Sequence, residues 1–208
     1  MGFASRVREA TRSDHAAAQA MAYFDALLSG RLGRDGYAAL TAQLFFVYET
    51  LEEAAGEMRA DPIAGQFITD ELARLPALVA DLTHLIGPDW PAHVTASTAT
   101  SEYRARLREV AFTWPAGFVA HHYTRYLGDL SGGQIMRRAL RREYGLDGAG
   151  TRFYEFPGLD PRTFKQHYRH LLDTAPWDAV EQERFLDEVT LAYRLNTAML
   201  DDLGKVVA

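Results

Sequence analysis

Apolar residues recur three and four positions apart along most of this chain, while strand-like alternation and Asn-Gly or Asp-Gly hairpin turns are nearly absent. That period is the α-helix's, so the expected fold is all-α. Helices are predicted near residues 5–28, 34–59, 63–86, 99–112, 115–144, 161–172 and 178–205. The breakers fall between them: Gly30 and Gly33, Asp61-Pro62, Gly87-Pro88, Trp114-Pro115, the run from Gly145 to Gly150, and Ala175-Pro176.

At 208 residues, 48% of them hydrophobic and 12% aromatic, the chain suits one globular domain over residues 1–208 better than two small ones. No stretch approaches the roughly 18 uninterrupted apolar residues of a membrane span, and the N-terminus lacks a signal-peptide pattern. A cytoplasmic protein without a membrane role is expected. The absence of cysteine excludes disulfides, thiolate metal sites and cysteine nucleophiles, so any metal must be held by nitrogen or oxygen. The net charge of -6 argues against nucleic-acid binding, which usually leaves a basic footprint.

Within the first helix, Arg8, Arg12, His15 and Gln19 are separated by four, three and four positions. At about 100° per residue they fall in a sector of roughly 60°. Alanines 16 to 18 leave room beside the imidazole for something flat and large. Gln19, one turn on, could orient the second ring nitrogen, and the two arginines would suit carboxylates at the edge of the same cofactor. From these residues alone, two readings stand: a ligand stripe, or an ordinary surface histidine among solvated arginines.

Between Pro115 and Tyr144-Gly145 a predicted helix carries Gly128, Gly132 and Gly133 in its interior. Each costs about 1 kcal/mol relative to alanine, so a compensating use is expected. Gly128 and Gly132 lie one turn apart and make a flat patch, with Asp129 beside it and Arg125 one turn earlier. Small residues four apart also mark close helix packing, but an ionisable group set in the patch favours a cavity wall.

The run Tyr123-Thr124-Arg125-Tyr126-Leu127-Gly128-Asp129-Leu130-Ser131-Gly132-Gly133-Gln134 resembles the signature segment of the heme oxygenase family. The resemblance extends to Glu9-Ala10-Thr11 before His15, Tyr48 with Leu51-Glu52-Glu53, Phe153-Tyr154-Glu155-Phe156-Pro157, and Phe164-Lys165-Gln166 with Tyr168-Arg169. It implies heme b, both substrate and cofactor, sandwiched between the first helix and a glycine-kinked distal helix. His15 matches the iron ligand, Gly128 and Gly132 the distal glycines, and Asp129 the carboxylate that holds a water network, with Tyr48 as one anchor. Arg125 and Ser131 belong to the same segment and are counted with the site. Arg8, Arg12, Tyr123, Lys165 and Arg169 match positions at or near the propionates, and Asn196 a distal residue. The implied reaction opens heme at a meso carbon, the alpha carbon being expected, to biliverdin, ferrous iron and carbon monoxide. It uses O2 and electrons from a ferredoxin or an NAD(P)H-dependent reductase.

Two departures stand out: Gln19, where the family commonly has glutamate, and His122 beside the family-like His121. His122 is expected to pack or be exposed, and both histidines are second choices to Asp129 as acids. The family's membrane tail would follow Gly204-Lys205-Val206-Val207-Ala208, so the soluble, bacterial-like branch is expected. Rival readings are a heme carrier, a thiaminase-like enzyme on a related scaffold, and a carboxylate-bridged metal bundle using Glu49, Glu52 and Glu53. The last lacks the Glu-x-x-His pairs it would need. His167 and His170 could hold a metal but fit an exposed face. Arg137, Arg138, Arg141 and Arg142 either complement the helix C-terminus or attract an acidic electron donor.

Overall fold

The computed structural model describes residues 2–206; Met1 and the last two positions of the tail segment, Val207 and Ala208, lie outside the described residues. Ten α-helices are present among them and no strand: α1 (Phe3–Ala10), α2 (Arg12–Gln19), α3 (Ala22–Leu28), α4 (Gly33–Met58), α5 (Leu75–Leu85), α6 (Thr98–Val110), α7 (Pro115–His122), α8 (Gly128–Tyr144), α9 (Pro161–Thr174) and α10 (Ala179–Val206). The long α4 runs through the core and packs against α5, α6 and α7, while α10 crosses α2, α6 and α7. One apolar cluster draws on residues from Phe3 to Leu203.

Local chemistry sets the helix ends. Ser97 accepts from Thr100 N (3.2 Å) to start α6, Asp160 accepts from Thr163 N (2.7 Å) to start α9, and Pro115 and Pro161 occupy first turns. Gly145 closes α8 at φ +64°, the left-handed conformation that glycine adopts without strain.

The first predicted helix is three. Thr11 Oγ1 bonds back to Val7 O (2.8 Å) at the first break, and Met21 is extended at the second. The second break lets α3 bury Tyr23 and Leu27, whereas α2 buries Ala18 alone. The predicted helix over 63–86 survives only as α5. Asp61 accepts from the amides of Ile63 and Ala64 and turns the chain into two 3-10 turns, Ala64–Phe67 and Asp70–Leu72. The sequence carries the sign in Pro76, which sits in the first turn of α5. The predicted 115–144 helix loses α register over Tyr123–Leu127, a π-helical turn that ends against Gly128. The interruption therefore meets the glycines on their N-terminal side.

Candidate active site

A cavity of about 260 Å³ opens between α2 on one side and α8 on the other, with α10 and α4 as further walls. His15, Gln19, Arg125, Gly128, Asp129, Gly132 and Asn196 line it. The remaining lining is mostly apolar, including Phe24, Leu40, Leu44, Met136 and Leu200.

His15 is exposed into this space because α2 buries only Ala18 against the rest of the molecule. Its ring stands edge-on to Tyr193, with centroids 5.9 Å apart and planes at 86°. Among the described residues no hydrogen bond joins Gln19 to the His15 ring, so the contact that orients the imidazole here is Tyr193. Sequence reasoning missed it: α10 brings Tyr193 to the imidazole from 178 positions along the chain, and nothing local marks it.

On the opposite wall, a Cβ built on Gly128 or Gly132 would meet nothing within 4 Å, whereas one on Gly133 would meet the Tyr154 ring at 3.2 Å. Two glycines thus face the cavity and the third serves packing. Ile135, on the same helix, lines the cavity and is 56% exposed, a large apolar side chain left for a ligand to cover. Phe153 and Tyr154 complete the wall. Asp81 holds them by accepting from the amides of Arg152 (3.0 Å) and Phe153 (2.8 Å), and Arg74 donates to the carbonyls of Phe153 (3.0 Å) and Glu155 (2.5 Å).

Asp129 looks into the cavity from the first turn of α8. Tyr48, fully buried on α4, donates its hydroxyl to Asp129 Oδ2 from behind, outside the cavity lining. The Arg125 guanidinium lies 3.7 Å from Asp129 Oδ1, is held by Asn196 Oδ1 and sits over the Tyr48 ring. Burial pushes the Asp129 carboxyl above the ordinary range and outweighs the pull of Arg125 and Tyr48, so its protonated form persists to higher pH than that of an exposed aspartate. Arg125 remains a cation. Its Nε, Tyr103 Oη and His121 Nδ1 are buried without a partner among the described residues, and groups of this kind are normally satisfied by buried water.

The remaining predicted residues are not among those that line the cavity. Arg8 and Arg169 come close enough to Tyr123 to oppose the upward shift that burial gives its phenol. Lys165 Nζ reaches Ser131 Oγ at 3.3 Å. Among the described residues, neither Arg8, Lys165 nor Arg169 pairs with a carboxylate. Arg12 is exposed and pairs with Glu9 at 3.1 Å; the break at Thr11 puts it on a different helix from Arg8, so the four-residue stripe is not one continuous helix face.

The other candidates have structural partners. Glu49 pairs with Arg104 (2.6 Å), and Glu52 accepts from the amides of Arg74 (2.5 Å) and Leu75 (3.2 Å). His167 and His170 are exposed, and no group of three metal-ligating side chains occurs among the described residues. Arg137 pairs with Glu155 (2.9 Å), Arg141 with Asp147 (3.4 Å) and Arg142 with Glu143, leaving Arg138 of the predicted basic face. His121 Nε2 meets Glu188 Oε1 at 2.9 Å, and Arg106 reaches the same carboxylate at 2.5 Å. His122 Nδ1 meets Tyr168 Oη at 3.0 Å, so of packing and exposure it takes packing.

These two histidines predict acid sensitivity. Burial lowers the pKa of both, His122 to about 3 from an ordinary 6.5. The unfolded chain therefore binds more protons at these positions than the folded one below pH 6.5, and for His122 stability falls as pH drops from 6.5 towards 3, by about 1.4 kcal/mol per pH unit. Between pH 7 and 5 the His122 part is about 2 kcal/mol. Urea unfolding at both values should show a His122→Phe variant losing less on acidification than the wild type; equal losses would contradict a buried neutral His122.

An apolar cleft between a histidine-bearing helix and a glycine-faced helix, overlooked by a buried carboxylate, defines an all-helical protein with an internal ligand cavity. A family model described as heme oxygenase matches residues 1–202. Heme oxygenase 1 of Synechocystis sp. is 37% identical over 204 residues, covering 98% of this chain and 85% of the relative, and heme oxygenase 1 of Rattus norvegicus is 34% identical over 201 residues, covering 95% and 70%. The crystal structure of the Synechocystis heme oxygenase-1 in complex with heme superposes with a TM-score of 0.94 at 36% identity, covering all of this chain and 94% of that one. The heme oxygenase of Leptospira interrogans gives 0.91 at 35% identity, covering 97% and 100%. The chain belongs to the heme oxygenase family, and its activity is the oxidative opening of heme to biliverdin with O2 and external electrons.

No helix among the described residues is long and apolar enough to cross a membrane.

Proposed function

We propose that the cavity between α2 and α8 receives heme, with His15 as the residue that would hold its iron and Asp129 as the proton-delivering carboxylate, and that residues 1–208 work as one domain. The observation that carries this reading is the open face at Gly128 and Gly132 across the cavity from His15. A side chain at either glycine would occupy the space a flat macrocycle needs. Heme, when bound, supplies the iron at which O2 is reduced and the ring that is oxidised.

The chain's own residues bind, orient and protonate. The α8 backbone at Gly128 and Gly132 would lie directly against the macrocycle, with no side chain between them, and so would shape the space on its distal side. Asp129 gives its proton through water, which the unpartnered Arg125 Nε and Tyr103 Oη are suited to hold. Tyr48 and Arg125 keep the carboxylate in place, and Asn196 keeps Arg125 in place. Tyr193 and Gln19 flank His15. At the rim, Arg8, Tyr123, Ser131, Lys165 and Arg169 receive the propionates, and Arg12 adds long-range attraction from its exposed position.

Electrons come from an external protein, an acidic ferredoxin or an NAD(P)H-dependent reductase. Glu155, Asp147 and Glu143 meet three of the four α8 arginines, so Arg138 is the member of that face left to attract an acidic donor once the rim cations hold the propionates. Reduced donors of this kind are met in the cytoplasm, the compartment we propose.

Aerobic incubation with heme and a ferredoxin-reductase system tests the whole reading. A Soret band on heme addition, followed by biliverdin on chromatography, is expected. Heme binding without biliverdin would make the protein a carrier, and no Soret band would abandon the cavity as a heme site. Changing Lys165 and Arg169 together to alanine should loosen propionate seating and give a mixture of biliverdin isomers. A single isomer at undiminished rate would remove these cations from the site.

A further inference from the structure

His122 ends α7 immediately before the π-helical turn, and its buried ring meets an aromatic side chain on each side. On one side its Nδ1 lies 3.0 Å from Tyr168 Oη, with the two rings 5.7 Å apart and within 16° of parallel. Tyr168 belongs to α9, between Lys165 and Arg169. On the other side the His122 ring packs 4.4 Å from Tyr126, Tyr126 packs 5.4 Å from Tyr48, and Tyr48 donates to Asp129. A continuous line of buried rings thus joins the propionate helix to the distal carboxylate.

We propose that His122 is a positioning residue: through Tyr168 it ties the helix that carries Lys165 and Arg169 to the distal helix, and so sets how the macrocycle is turned in the cavity. This rests on the placement of heme proposed above. The backbone of α9 packs against α1 and the Ala64–Phe67 turn. Its further direct link to α8, Lys165 to Ser131, is a single 3.3 Å contact in solvent and holds little. The His122–Tyr168 contact is buried at both ends, where a polar group without a partner is costly. Tyr168 Oη has one other acceptor, Val119 O at 3.5 Å, so the imidazole is the better one. The phenol therefore donates to Nδ1, and the His122 proton sits on Nε2. The low pKa of His122 keeps the ring neutral, so this acceptor persists at working pH.

Tyr168→Phe removes one oxygen and keeps the ring; His122→Phe keeps an aromatic ring and removes the acceptor. In either variant the minor biliverdin isomers should rise several-fold over wild type, and proton NMR of the cyanide-bound ferric complex should show a second set of heme methyl signals. The double variant should be no worse than either single one, because both remove the same bond. One isomer and one set of signals in folded, heme-binding variants would overturn the proposal. Nitrogen-15 NMR of the heme-free wild type reads the tie without substitution: an Nε2-protonated tautomer of His122 is expected, and an Nδ1-protonated ring would overturn it even if neither variant folds. A wild type that binds heme in one orientation but gives no biliverdin would fail the proposed reaction, while these NMR readings would still decide the tie.

Discussion

Replacing His15 by alanine is expected to abolish most heme turnover while leaving the fold intact. The imidazole is exposed into the cavity and makes no hydrogen bond among the described residues, so its removal costs little packing: α2 is held by Ala18 and its contact with α10. What is lost is the ligand. Groups that merely orient a metal-bound histidine are commonly worth 10–100-fold, so loss of the ligand itself should lower biliverdin formation by about 100-fold or more. Because the cavity is left with a side-chain-sized gap beside Tyr193, added imidazole should occupy it and restore part of the rate and of the axial-ligand spectrum. An unchanged ferric spectrum with undiminished turnover in His15→Ala would remove His15 as ligand and leave the cavity without a nitrogen donor on its α2 side.

Asp129→Ala should bind heme with near-normal affinity yet form biliverdin at least about 100-fold more slowly, the scale that proton transfer by a positioned group contributes. The contacts proposed for heme binding, His15 and the rim cations, lie elsewhere, so affinity and turnover should separate. The substitution also strands Arg125, a buried guanidinium 3.7 Å from the lost carboxylate, and Tyr48, whose hydroxyl loses its acceptor. Some stability will therefore go with it. Asp129→Asn separates the two effects: it keeps the shape and an acceptor for Tyr48 but has no carboxyl proton to deliver. If Asp129→Asn turns over at the wild-type rate, the carboxyl proton is not the one delivered. If both variants are slow while heme titrations match wild type, the distal role stands.

Some parts of this site lie in local sequence. The helical period, the prolines at first turns and the glycine at φ +64° act within a few residues, so the all-α fold and most breaks could be read directly. The glycine patch was legible for the same reason: Gly128 and Gly132 are one turn apart and share a face wherever the helix lies, with Asp129 beside them. His15 was visible as a candidate but not as a choice, since an exposed histidine on an alanine-rich helix looks the same with or without a cavity before it.

Tertiary structure alone decided the rest. Tyr48 reaches Asp129 across 81 positions, Arg125 reaches Asn196 across 71, and Arg74 reaches the Phe153 wall across 79. No periodicity encodes such pairings, because they depend on how elements far apart in sequence pack together. The break at Met21 is of the same kind: the local residues favour helix, and burial of Tyr23 and Leu27 overrides them. Charge was read least well from sequence. The four arginines of α8 look like a basic face until Glu155, Asp147 and Glu143 meet three of them, while Arg8, Lys165 and Arg169, on helices far apart in sequence, keep no carboxylate among the described residues. Sequence counts charges, but their fields are set by distance and burial, and only the folded chain supplies those.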